Sequence, residues 1–135
     1  MELAPELARA VRGAYEAFNL GEIESPLSLM HDDVDWANTI EGGREQGRAA
    51  VRAYWTRVRG LLVPRVEPLR LQTAGPDVTV VFGRQRFSDR TSGEPLAHEY
   101  FQHVFTWRGE LVARMDAVEP KLAERLRLDQ AAPAM

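Results

Sequence analysis

Apolar residues recur at helical spacing at the start of the chain: Leu3, Leu7, Ala10, Val11, Ala14, Tyr15 and Phe18. Pro5 suits a first helical turn, and Gly21 suits the left-handed residue that closes a helix. Ser25-Pro26 fits a cap and first position for a short second helix over Leu27–Met30. The pattern then changes. Val34, Trp36 and Asn38 fall on one face of a short strand, because side chains alternate along an extended chain. Gly42, Gly43 and Gly47 make a turn-rich stretch. From Arg48, the residues Ala50, Val51, Tyr54, Trp55, Val58, Leu61 and Leu62 mark a third amphipathic helix, with Pro64 as its stop.

Beyond residue 64 the pattern is strand-like. Val66–Thr73, Val78–Phe87, Leu96–Trp107 and Leu111–Val118 are expected strands. Ala74-Gly-Pro-Asp77 is a turn, residues 88–95 form a polar loop, and Arg108-Gly109-Glu110 closes a hairpin. Residues 121–128 are read as a last helical turn or two. The order is that of an α+β domain, with three helices expected to cover one face of a curved antiparallel sheet.

The chain has 135 residues, which bounds it to one domain, taken as residues 1–128 with 129–135 as a flexible tail. With 44% apolar and 27% charged residues, a packed globular fold is expected. A net charge of −3, from 17 basic and 20 acidic residues, gives no footprint for nucleic acid. No cysteine is present, so thiol nucleophiles and thiolate metal sites are excluded. The acidic start and the lack of a long apolar run predict a cytoplasmic protein with no membrane partner.

Two residues on the expected strands carry candidate chemistry. Asp116 lies among Val112, Met115, Ala117 and Val118, and an apolar setting raises a carboxyl pKa toward the range useful for acid–base work. The competing reading is an outward-facing residue, or a partner for Arg114 or Arg86. His103 shares a strand face with Phe101, Phe105 and Trp107, where an imidazole either meets a ligand oxygen or is satisfied within the sheet. Trp36, Tyr54, Trp55 and Phe18 are candidate pocket walls or plain core. Arg86 is a candidate for an acidic ligand, or a solvated residue. His98 and Glu99 point to opposite faces, as do His98 and His103, so no metal site is expected. No glycine-rich nucleotide fingerprint follows a strand, and no cofactor is expected.

The segments Tyr15–Glu22, Leu29–Trp36, Gly47–Trp55 and Phe105–Asp116 carry a family resemblance. In them the chain resembles the nuclear transport factor 2-like superfamily and, within it, the SnoaL-like group. The likeness spans most of residues 5–119. It implies a cone-shaped α+β domain, three N-terminal helices on a strongly curved sheet, and a homodimer formed through that sheet. The family includes ketosteroid isomerases, polyketide cyclases, epoxide hydrolases, dehydratases and non-catalytic binding proteins, so the fold alone selects no reaction. By resemblance, Asp116 matches the acid–base residue of hydrolase and cyclase members, and His103 falls where the isomerases keep a proton-donating aspartic acid. Asn38 falls where they carry a general-base aspartate, and an amide has no pKa for that task. Tyr15 is one position from their tyrosine. A standard ketosteroid isomerase is therefore not expected. Asn38 is left to orient a ligand carbonyl or a water, or to end a strand. The expectation is a cofactor-free isomerase, cyclase or hydrolase using Asp116 and His103. Trp36, Tyr15, Tyr54, Trp55, Phe101, Asn38 and Arg86 would surround a small apolar or carbonyl-containing molecule. The alternatives are a non-catalytic binding domain and a dimerisation or docking module.

Overall fold

A computed structural model describes residues 3–117. The expected helix at 121–128 and the tail lie outside the described residues. Helix α1 runs from Pro5–Leu20 and closes at Gly21, which takes φ 85° and donates its N–H to the carbonyls of Ala17 and Phe18. Helix α2 is Glu24–Leu27, earlier than expected. The turn is already set at Ile23, whose carbonyl accepts the Leu27 N–H at 3.1 Å. Met30 then belongs to strand β1, Met30–Ala37.

The glycine-flanked stretch contains a strand that pattern does not show. Strand β2, Arg44–Gln46, is three polar residues with no alternation. It exists because it pairs with β1, Asp35 opposite Gln46 and Ala37 opposite Arg44. Helix α3 follows as Arg48–Leu61 and buries Val51, Tyr54, Trp55 and Val58, the i, i+3, i+4, i+7 set of one face. It ends at Leu62, which is extended, before the proline expected to stop it. Pro64 sits inside strand β3, Leu62–Thr73. That placement is tolerated because β3 is an edge strand, where a missing N–H breaks no ladder.

Strands β4 (Val78–Asp89), β5 (Pro95–Arg108) and β6 (Leu111–Ala117) complete one six-stranded sheet in the order β2-β1-β6-β5-β4-β3. All neighbours are antiparallel except β1 and β6, so the sheet is mixed. It is open, with β2 and β3 at its two edges, and is not the strongly curled sheet expected. Nor are all three helices N-terminal to the sheet, since β1 and β2 separate α2 from α3.

The helices cover one face. The Asn19 side chain at the end of α1 donates to the Val66 carbonyl and accepts the Val66 N–H, both at 2.8 Å, which pins α1 to β3. Arg59 of α3 donates to the Phe18 carbonyl at 2.7 Å and ties the two long helices together. Between helices and sheet lie Leu27, Val34, Val51 and Val81, all fully buried. Among the described residues no helix is long and apolar enough to cross a membrane.

Candidate functional site

The apolar stripe of α1 includes Val11, Ala14, Tyr15 and Phe18, and the inner face of β5 carries Phe101, His103, Phe105 and Trp107. Packing one on the other brings Tyr15 Oη to 2.6 Å from His103 Nδ1. The two rings are nearly parallel, 7° apart with centroids at 5.9 Å. Phe101 stacks on the imidazole at 4.1 Å, and Phe105 meets both rings edge-on. The pair sits in an aromatic frame on the wall of a cavity of about 110 Å³. Trp36 from β1, Tyr54 and Trp55 from α3, and Trp107 from β5 line the same space. Trp36 and Trp55 pack perpendicular to each other, 5.6 Å between centroids. Among the described residues, the wall holds no aspartate or glutamate.

Burial controls the charge of this pair. It pushes the His103 pKa down to about 3 and the Tyr15 phenol well above its usual 10, because each charged form would lose its hydration. Both groups are neutral across the physiological range. Together they hold two protons and have two arrangements. In one, the phenol donates to Nδ1 and Nε2 carries the second hydrogen. In the other, Nδ1–H donates to the phenol oxygen, the phenol hydrogen is free, and Nε2 becomes an acceptor. The pair can therefore present a ligand with a donor or an acceptor without either group becoming charged.

The other sequence candidates divide cleanly. Tyr15, His103, Trp36, Tyr54 and Trp55 meet on the cavity wall. Phe101 is buried just behind it, against His103. Asp116 is not there. A bulge in the β5–β6 pairing sets Trp107 opposite Val112 but Thr106 opposite Arg114, which leaves Ala113 as an extra residue. One extra residue reverses which face every later side chain takes. Val112 and Met115 both face the cavity, and Asp116 faces outward. There it accepts hydrogen bonds from Arg114 at 2.8 and 3.0 Å and from Arg44 at 3.1 Å, while both arginines also bind Asp35. The acid–base residue expected in the pocket belongs to an ion-pair network on the opposite face of the sheet. Arg86 is exposed on β4, facing away from the cavity for the same alternating reason.

Asn38 is a loop organiser. Its amide nitrogen donates to Glu41 at 3.0 Å and Glu45 at 2.9 Å, and its side-chain oxygen accepts from the N–H groups of Ile40 and Glu41 at 3.3 and 2.8 Å. Both ends of the amide are occupied, and Thr39 and Ile40 reach the cavity in its place. Asn38→Ala is expected to lower stability by about 2 kcal/mol in urea denaturation, since the loop loses the hydrogen bonds of a buried amide, two of them to carboxylates. A loss below about 0.5 kcal/mol would remove this role.

Thr39 and Gln85, polar residues of the cavity wall, are not among the sequence candidates, and Glu99 beside the cavity is one only as a metal ligand. Gln85, buried on β4, lines the cavity and donates from Nε2 to Glu99 of β5 at 2.8 Å. The signal was a glutamine in phase with Val81 and Phe87, which is a polar residue on an apolar strand face. In the sequence Glu99 stands beside His98 as a candidate metal ligand. It does point away from His98, which is exposed, and toward Gln85.

Known structures share this architecture. An NTF2-like protein of unknown function from Burkholderia pseudomallei K96243 is 25% identical, with a TM-score of 0.73 over 90% of this chain and 95% of its own. TerC, co-crystallised with polyporic acid, is 27% identical, with a TM-score of 0.72 over 90% of this chain and 97% of its own. A hypothetical protein from Catenulispora acidiphila DSM 44928, in complex with trimethylamine, has a ketosteroid isomerase-like fold. It shares the fold alone, at 15% identity and a TM-score of 0.68 over 90% of each chain. No curated protein matches the chain. Residues 11–115 match the SnoaL-like domain, well over half of the chain, and the protein belongs to that family.

Proposed function

We propose that the protein binds a small, largely apolar ring compound in this cavity, and that Tyr15 and His103 recognise a carbonyl or hydroxyl oxygen on it. The observation that carries the reading is the neutral Tyr15–His103 pair, the hydrogen-bonding unit supplied by α1 and β5 to a wall otherwise built mainly of aromatic and aliphatic groups. Size limits the ligand. A dry protein cavity of about 150 Å³ holds one benzene, so about 110 Å³ suits a single ring whose substituents extend outward. Chemistry limits the reaction. With no carboxylate on the wall among the described residues, removal of a proton from carbon would fall there to His103, and a base with a pKa of about 3 is far from the value that such catalysis favours near pH 7. The site is suited to binding an oxygen and polarising it. The similarity to TerC, a structure containing a small organic ligand, supports the same use of the fold.

The test uses acetophenone and α-methylstyrene, which differ in C=O against C=CH₂ at nearly equal shape. All three tryptophans of the chain, Trp36, Trp55 and Trp107, line the cavity, so ligand-dependent quenching reports occupancy directly. Acetophenone is expected to bind about tenfold more tightly, the value of one good hydrogen bond. In the double variant Tyr15→Phe/His103→Leu the preference is expected to fall within about twofold. Equal binding of both compounds by the native protein, or no binding of either, overturns the reading.

A further inference from the structure

Beside the cavity lies a second, more open compartment of about 280 Å³, and Thr39, Ile40, Gln85 and Phe87 bound both. The outer compartment adds Leu62, Leu96 and Glu99. It adjoins the cavity on its more open side, and among the described residues it is an apolar rim with one carboxylate in it. Leu96 is 52% exposed and Ile40 is 40% exposed, so the rim offers apolar surface to whatever passes or remains there.

Glu99 has features of a built site. Gln85 is buried, and its amide donates to one Glu99 oxygen at 2.8 Å, which fixes the carboxylate's direction. No ion pair to Glu99 is formed among the described residues, whereas the carboxylates of Glu24, Glu41, Glu67, Asp33, Asp35 and Asp116 each have an arginine. Arg90, the cation that reaches the Leu62 carbonyl beside this rim, is engaged with backbone carbonyls of Arg59 and Leu62. Register sets the geometry. Glu99 and His103 stand on the same face of β5, four residues apart, which is about 13 Å along a strand.

We propose that Glu99, held by Gln85 at the mouth, recognises a protonated amine on the ligand whose oxygen is held by Tyr15 and His103. The inference rests on the binding function proposed above and adds a substrate class: an extended molecule with one ring, an oxygen acceptor at the inner end and an amine about 10 Å away at the outer end. A carboxylate that meets a cation at a partly dry rim contributes more than a neutral contact does.

The probes are 4-(2-aminoethyl)acetophenone and 4-propylacetophenone, which match in length and differ in the terminal ammonium against methyl. Native protein is expected to bind the amine about tenfold more tightly. Glu99→Gln keeps the side-chain shape and an oxygen for Gln85, and should abolish that preference while leaving 4-propylacetophenone within about twofold. A native protein that binds both probes equally, or a preference that survives Glu99→Gln, overturns the proposal. Acetophenone itself separates the two levels. If it binds with no amine preference in its longer analogue, Glu99 alone is misassigned; if it does not bind, the cavity reading fails and this inference with it.

Discussion

Gly83→Ala is expected to destabilise the protein by about 3 kcal/mol, the upper part of the usual range for overpacking. A Cβ at Gly83 would sit 2.3 Å from the Glu67 carbonyl oxygen and 2.4 and 2.7 Å from two ring atoms of Phe101. The carbonyl is backbone of the neighbouring strand and cannot swing aside. It approaches so closely where the β3–β4 register shifts, between Pro68 and Arg70. The Phe101 ring occupies the space a side chain would take, directly across from Gly83 on β5. That ring is also the one stacked on His103. The substitution should therefore lower the urea midpoint and weaken acetophenone binding together. A change below about 1 kcal/mol would mean that β3 yields at the bulge and that the close approach is not a constraint.

Stability should also fall by about 2 kcal/mol between pH 8 and pH 5 because of His103. In the unfolded chain the imidazole takes up a proton near pH 6.5, whereas burial in the folded protein delays this to about pH 3. Between those values the unfolded state binds more protons, so acid favours unfolding. The contribution is complete above pH 6.5 and is lost as the pH falls toward 3. The arginine-paired carboxylates act lower. Hydrogen bonding from Arg57 holds Glu41 at about 2, and Arg44 similarly lowers Asp35, so their contributions are lost only below the ordinary carboxylate range. The window from pH 5 to 8 thus isolates the histidine. His103→Gln should flatten it relative to native protein, and His31 and His98 are common to both proteins. Equal losses in the two, measured by urea denaturation at each pH, would show that His103 is not buried as a neutral group.

Much of the fold was legible because it depends on local pattern. The 3.6-residue stripe of α1, the Val51–Val58 face of α3 and the alternation of β4 and β5 each report burial of one face, and burial is what the residues encode. Boundaries were harder. Pro64 has the look of a helix stop in the sequence, but a proline at an edge strand offends nothing, and only the sheet order reveals the edge. Strand β2 was unreadable, since Arg44, Glu45 and Gln46 pair through their backbones and have no apolar side to show.

The site divides along the same line. His103 was placed correctly on its face by alternation, and its aromatic neighbours followed from the same parity. Its partner was not, since Tyr15 is 88 positions away and only the packing of α1 on the sheet brings the phenol within 2.6 Å. Asp116 shows the opposite failure. Its apolar neighbours in sequence suggested a buried acid, but one bulged residue at Ala113 moved it to the far face and into the reach of Arg44 and Arg114. Side-chain alternation is a property of the chain and is written in it. Register, bulges and which strand stands at an edge are settled between chain segments far apart in sequence, so they become visible only when the sheet is assembled.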